Sequence, residues 1–132
     1  MVKAQVGIEY MAMFAILLLV LTPVLLYALD LSSTSISSIK TREAVQTMAN
    51  AADKLYNFGG GRTYVDLDLP SGVKNYTIVN KTIILTMSIG NSTGNAVAMT
   101  RGNVTGSLKI NEGPHRVYLE YLSSGVINIT GT

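Results

Sequence analysis

The sequence MAMFAILLLVLTPVLLYAL, residues 11–29, decides the architecture of this chain. Its nineteen residues carry no charge, and Thr22 and Pro23 are the only clear departures from an apolar run. At ~1.5 Å per helical residue the run spans about 28 Å, close to the ~30 Å hydrocarbon core of a bilayer. We therefore expect a helix that crosses a membrane.

The residues on either side of this run indicate its orientation. Lys3 and the amino terminus precede it, and Asp30 follows it. Because positive residues stay on the cytoplasmic side, we expect a cytoplasmic N-terminus, with everything after Asp30 outside. A cleaved secretory signal fits poorly, since it needs a shorter apolar core followed by a small-residue cleavage site. A plain signal anchor explains the run but leaves Glu9 unexplained.

Glu9 lies at the cytoplasmic edge of the apolar run, where a carboxylate is costly unless it reaches the interface or has a function. The residues around it read Met1-Val2-Lys3-Ala4, followed by Gln5-Val6-Gly7-Ile8-Glu9-Tyr10. A short basic leader followed by Q-x-x-x-E-Y resembles the class III signal sequence of archaeal type IV pilins. The resemblance covers about residues 1–30.

The resemblance implies a maturation step and a function. A prepilin peptidase would cut between Ala4 and Gln5, so that residues 1–4 are a leader and the apolar run is retained. The single-pass membrane precursor would then assemble into an extracellular homo-oligomeric helical filament, with this helix as its core, for surface adhesion. Glu9 and Tyr10 would act in assembly, and Glu9 would pair with the free amine of Gln5 on a neighbouring subunit, unless Gln5 cyclises.

Two other functions stay open at this point. An archaellin-like subunit of a motility filament shares the same leader and the same cut. A monomeric, membrane-anchored surface domain that binds a ligand would instead keep Met1 at its N-terminus. The mature N-terminus therefore separates the filament hypotheses from the monomeric one.

The chain beyond the apolar run remains compatible with a helix. Residues 31–38 hold five serines and one threonine, which are mediocre helix formers. We expect either one helix from Gln5 to about Tyr56, kinked at Pro23 because proline removes a backbone donor, or two helices with a break at 30–38. Apolar residues then recur at three- and four-residue steps, which predicts an amphipathic stripe: Val45, Met48, Ala49, Ala52, Leu55 and Tyr56.

Three glycines, Gly59-Gly60-Gly61, follow this stripe. Glycine supplies the left-handed residue that helix C-termini favour, so we expect the helix to end there. We reject a phosphate-binding loop, because such loops follow a strand and open a helix, whereas this run closes one.

From Thr63 onward, apolar and polar residues alternate, as on half-buried strands. Four turn clusters interrupt the alternation: 70–72, 90–95, 113–114 and 123–125. We predict five to seven short antiparallel strands whose single apolar face is covered by the helix stripe. The predicted class is α+β, a long N-terminal hydrophobic helix of the type IV pilin kind followed by a small antiparallel β-sheet or β-sandwich. The expected segments are a leader at 1–4, a helix at 5–58 (membrane anchor and filament core to 30, amphipathic from 31) and an extracellular β domain at 59–132.

Five Asn-x-Thr sequons lie in this last segment, at Asn75, Asn80, Asn91, Asn103 and Asn128. Composition alone would give about one or two, so the excess predicts N-glycosylation on an external surface. The alternative is a Thr- and Asn-rich β surface that is never modified.

The sequence offers no constellation for catalysis. His115 is the only histidine, there is no cysteine, and Asp66 and Asp68 fit a charged strand face better than a weak cation site. A net charge of +2 without a basic cluster argues against nucleic acid as a partner. We therefore predict a non-enzyme without catalytic, cofactor-binding or metal residues and without a small-molecule substrate.

Overall fold

The computed structural model describes residues 2–109 and 111–131. Helix α1 (Val2–Phe58) is followed in the described residues by seven strands: β1 (Arg62–Leu69), β2 (Val73–Val79), β3 (Thr82–Ile89), β4 (Ser92–Met99), β5 (Val104–Ser107), β6 (Gly113–Tyr121) and β7 (Ile127–Gly131). The chain divides into two compact units, Met1–Ser35 and Ile36–Thr132. The predicted class is confirmed, since one long apolar N-terminal helix precedes a small, mostly antiparallel β region.

The serine-rich segment does not interrupt the helix. α1 continues through residues 30–38, so the prediction of one helix is confirmed and the alternative of two is wrong. Its hydroxyls bond back to the helix itself: Ser33 and Thr34 donate to the carbonyl of Asp30 at 2.8 and 3.1 Å, and Ser35 donates to that of Leu31 at 2.9 Å. The hydroxyls are thus satisfied within a continuous helix, although serine and threonine are mediocre helix formers.

Pro23 also lies within the continuous helix. Proline leaves the carbonyl four residues earlier without its usual donor. Next to it, the hydroxyl of Thr22 donates to the carbonyl of Leu18 at 2.7 Å. Such side-chain bonds favour bending of helices. The kink at Pro23 stays a prediction.

Gly59 ends α1 as expected. Its φ is 69°, a conformation that glycine adopts without a Cβ penalty. Its N–H donates to the carbonyls of Leu55 and Tyr56 at 3.1 and 3.2 Å, which satisfies two of the carbonyls left over at the helix C-terminus. The glycine run therefore closes a helix.

The strands form two sheets, whereas the sequence pattern predicted a single apolar face. One sheet has the order β1-β6-β7-β5 and the other the order β2-β3-β4. Every pairing is antiparallel except that of β5 with β7, which is parallel, so the prediction of purely antiparallel strands is wrong there. Alternation of apolar residues reports which side of a strand is buried but not the direction of its neighbour.

The core joins the second half of α1 to both sheets, so the predicted packing of the helix stripe on the strands is confirmed for the stripe residues from Val45 to Leu55. It is wrong for Tyr56, which is 43% exposed. The helix contributes mainly small side chains around Met48, which is fully buried. The strands contribute branched residues from both sheets, including Ile83, Leu85, Leu119, Ile127 and Ile129. Small residues on the helix allow it to approach the bulkier strand residues closely, as close packing requires.

Of the four predicted turn clusters, one is partly strand and one is wholly strand. Residues 70–72 and 123–125 form turns, but β4 already begins at Ser92, inside the predicted 90–95 turn. β6 begins at Gly113, so Gly113-Pro114 opens a strand. Pro114 is accommodated because β7 pairs only with Val117–Tyr121, which leaves one side of β6 unpaired at the proline.

Candidate functional surfaces

The apolar part of α1 is exposed to an unusual degree. α1 is the one helix in the described residues that is long and apolar enough to cross a membrane. Its most apolar 18-residue stretch has a mean hydropathy of 2.6, and none of this stretch is buried. Large side chains such as Met11 and Leu19 are each 76% exposed. A contiguous apolar surface of this size needs lipid or other protein around it. The length and composition of the helix are consistent with a membrane anchor.

The residues predicted to act in maturation and assembly lie in the first turns of this helix. Ala4, Gln5, Glu9 and Tyr10 are all helical and exposed. Gln5 and Glu9 are four residues apart, and helical residues with this spacing lie on the same face. Their predicted roles involve a peptidase and a second subunit, so these roles stay predictions.

The two aspartates considered as a cation site are paired with basic residues. The carboxylate of Asp66 accepts from Arg116 Nε at 2.7 Å, and that of Asp68 accepts from Lys40 Nζ at 2.8 Å. A third pair, Arg62 with Glu120 at 2.6 Å, lies on the same strand pair. Within residues 2–109 and 111–131, no group of three or more His, Asp and Glu side chains is arranged to hold a metal ion. Asp66 and Asp68 are therefore part of a charged strand face.

The pairing of Asp66 with Arg116 shifts the pKa of both groups. The hydrogen bond from Arg116 stabilises the ionised carboxylate and holds the pKa of Asp66 below its usual value, against a smaller opposing effect of desolvation. The same bond raises the pKa of Arg116. Both groups therefore remain charged at any physiological pH.

Sequence reasoning missed an aromatic cluster beside this ion pair. The Arg116 guanidinium lies 4.7 Å from the ring centroid of Tyr64, and the ring centroids of Tyr64 and Tyr118 are 6.5 Å apart. The register of β1 and β6 places Tyr64 opposite Tyr118 and Asp66 opposite Arg116. All four residues occupy polar positions of their strands, but only the register, which the sequence does not reveal, brings them together. We call these four residues the tyrosine–arginine cluster.

The five sequons occupy different structural positions. Asn80 and Asn91 lie in the hairpin turns on either side of β3, Asn75 lies within β2, and Asn103 comes just before β5. These four are exposed. Asn128 is half-buried in β7, where it is paired with Glu120 on one side and Thr105 on the other. His115 lies in β6, and its Nε2 is 2.7 Å from the carbonyl oxygen of Asn111.

Comparisons with known proteins do not assign the chain to a family. The chain matches no protein-family model, no curated protein and no solved structure. What can be inferred about its function comes from its own exposed helix and from the surfaces of its β region.

Proposed function

We propose that the chain is a structural subunit of an extracellular filament of the type IV pilus kind, used for surface adhesion. It is made as a single-pass membrane precursor, cut between Ala4 and Gln5 by a prepilin peptidase, and assembled into a homo-oligomeric helical filament. The observation that carries this proposal is the exposed apolar helix, whose first turns hold Gln5, Glu9 and Tyr10 in the prepilin spacing.

The exposed helix suits both a membrane and a filament core. A bilayer covers it before assembly, and neighbouring copies of the same helix cover it afterwards. Since the surroundings are apolar in both states, close packing between helices has to drive assembly. Small residues allow such approach, and at Gly7 an added Cβ would meet nothing within 4 Å of this chain.

Glu9 provides a reason for cleavage to precede assembly. An unpaired carboxylate in a helix bundle costs several kcal/mol, whereas a carboxylate with a cationic partner costs much less. Cleavage before Gln5 creates a new amine only four residues from Glu9 in the sequence. We propose that the amine of one subunit pairs with Glu9 of its neighbour, so that only processed chains assemble.

Mass spectrometry of the native N-terminus tests this function most directly. We expect a mature chain that starts at Gln5, free or cyclised, in material sheared from the cell surface that electron microscopy shows as filaments. A chain that retains Met1 and stays monomeric in membranes would contradict the proposal.

A membrane-anchored binding domain is the second candidate, and the tyrosine–arginine cluster favours it. Tyr64 and Tyr118 are 58% and 47% exposed, and exposed Tyr and Arg side chains are typical of binding hot spots. This candidate predicts an intact N-terminus, single molecules in the membrane and loss of ligand binding on Tyr64→Ala. The same mass measurement separates the two candidates.

A further inference from the structure

The three-stranded sheet carries an exposed apolar patch on its outer face. The register aligns Val79, Thr82 and Met99 in one row across the strands, and Thr77, Ile84 and Val97 in the next. Val79, Val97 and Met99 are 53%, 55% and 74% exposed, and Ile84 is half-buried. We call Val79, Ile84, Val97 and Met99 the outer patch. A contiguous apolar patch on a soluble surface normally has something that covers it.

The sheet that carries the outer patch has almost no charge. Lys74 and Lys81 are the only ionisable side chains with a charge at neutral pH between Val73 and Met99. The three described ion pairs all involve strands of the other sheet. Charged side chains therefore do little to keep this face soluble, and the face offers no charge pattern for a partner of opposite charge.

Two sequons border the outer patch. Asn75 is exposed on the same side of β2 as Thr77 and Val79, because alternate residues of a strand share a face. Asn80 directly follows Val79 in the turn between β2 and β3, and it is also exposed. At ~3.3 Å per strand residue, Asn75 lies about 13 Å from Val79, within reach of a short oligosaccharide. The third residues of both sequons, Thr77 and Thr82, belong to the two rows of the patch.

We propose that Asn75 and Asn80 carry N-linked sugars and that these sugars cover the outer patch. A bulky hydrophilic group at both sites would supply the solubility that charged side chains supply on the other sheet. The proposal rests on the proposed function in one respect, since it needs this part of the chain to lie outside the cell.

Asn91 and Asn128 serve as internal comparisons. Asn91 is exposed in the turn between β3 and β4, at the opposite end of the same sheet from Val79 and Met99. Sugar at Asn91 would therefore not be needed to cover the patch. Asn128 lies within β7 of the other sheet. Asn103 precedes β5 of that sheet but lies close to Asn80, because the N–H of Val104 donates to the carbonyl of Asn80.

The first measurement is peptide mass spectrometry of the full chain purified from its native host, with each sequon examined separately. We expect hexose-containing masses on the peptides of Asn75 and Asn80. Unmodified peptides at both positions overturn the proposal. The N-terminus measured in the same sample tells this failure apart from failure of the proposed function, because a filament subunit without sugar would still begin at Gln5.

The second measurement tests whether the sugars cover the outer patch. The double variant Asn75→Gln/Asn80→Gly removes both acceptors, and glycine at position 80 retains the backbone freedom that the φ of 56° requires. We expect a severalfold rise in the aggregated fraction of the detergent-solubilised full chain, measured by light scattering, while Asn91→Gln behaves like the native chain. Adding Val97→Thr and Met99→Lys to the double variant should return aggregation to the native level.

Two results of this second experiment would overturn the proposal. If the double variant aggregates no more than Asn91→Gln, the sugars do not cover the patch. If the native chain itself associates through the β region and Met99→Lys alone abolishes that association, the occupant of the patch is a second copy of this chain.

Discussion

The two units of this chain contain parts of the same helix, but its apolar side chains are exposed in the first unit and form a buried stripe in the second. In Met1–Ser35 the described apolar side chains point outward all round the helix and are exposed, whereas in Ile36–Thr132 the helix buries a stripe of mainly small residues against strands. A helix that is apolar all round needs apolar surroundings, and one with a stripe needs only a sheet. We therefore expect changes in the first unit to affect assembly and changes in the second to affect folding.

The largest effect is expected from Glu9→Leu, in the first unit. It removes the proposed partner of the amine that cleavage before Gln5 would create, so we expect filaments to be absent while the precursor still reaches the membrane and is cut. Electron microscopy of sheared material counts the filaments. Glu43→Leu, an exposed carboxylate in the second unit, is the matched control. Normal filaments from Glu9→Leu would remove the proposed basis of assembly.

Met48→Ala should have the largest effect on folding. Met48 is fully buried, and truncating such a side chain leaves a cavity that typically costs about 2–5 kcal/mol. Leu25→Ala removes a side chain that is 55% exposed in the first unit, and it should leave the free energy of unfolding unchanged. Chemical denaturation of the full chain in mild detergent measures both variants. Equal losses of unfolding free energy in the two variants would show that both units contribute alike to folding stability.

Two glycine variants test the same difference between the units, with a smaller expected change in unfolding free energy. Gly106 has a φ of 150°, and a Cβ there would overlap the carbonyl of Ile129 on the adjacent strand. We expect Gly106→Ala to cost about 2–4 kcal/mol of unfolding free energy, from overpacking and backbone strain together. At Gly7 a Cβ meets nothing within 4 Å, so Gly7→Ala should not lower stability. The same denaturation measurement applies, and a stable Gly106→Ala would contradict the register of β5 with β7.

The smallest effect concerns the surface of the second unit. Because Arg116 holds the pKa of Asp66 below its usual value, their pairing adds stability that is present above the ordinary aspartate pKa of ~3.9 and lost as pH falls through the lowered folded value. Arg116→Gln should raise the pKa of Asp66 toward the ordinary value, as a carbon-detected NMR titration of the carboxyl would show. An unchanged titration of Asp66 would mean that the pair does not form in solution.

The sequence was informative wherever the physics is local. The apolar run, the stripe around Met48, the end at Gly59 and the alternation in β1 and β3 each depend on residues close in sequence, and the structure confirms them. The direction of β5 beside β7 was not predictable, because alternation carries no information about a distant neighbour. The start of β6 at Gly113-Pro114 was not predicted, because glycine and proline usually mark turns.

The candidate surfaces divide in the same way. The motif at Gln5 and Glu9 is readable from adjacent residues, but its roles involve other chains and stay predictions. The tyrosine–arginine cluster escaped notice because Tyr64 and Arg116 are 52 positions apart in the sequence and meet only through the register of β1 and β6. The outer patch likewise depends on the alignment of three strands. The tyrosine–arginine cluster and the outer patch were not predicted because both depend on long-range strand pairing, which sequence periodicity does not encode.

The position of β7 has a consequence for biosynthesis. β7 is the last of the described strands in chain order, yet it lies between β6 and β5 in the four-stranded sheet. Until residues 127–131 have emerged from the ribosome, its two neighbours have no strand between them, and the core lacks Ile127 and Ile129. The four-stranded sheet therefore cannot close while residues 127–131 are still being synthesised, so its closure follows the synthesis of β1, β5 and β6.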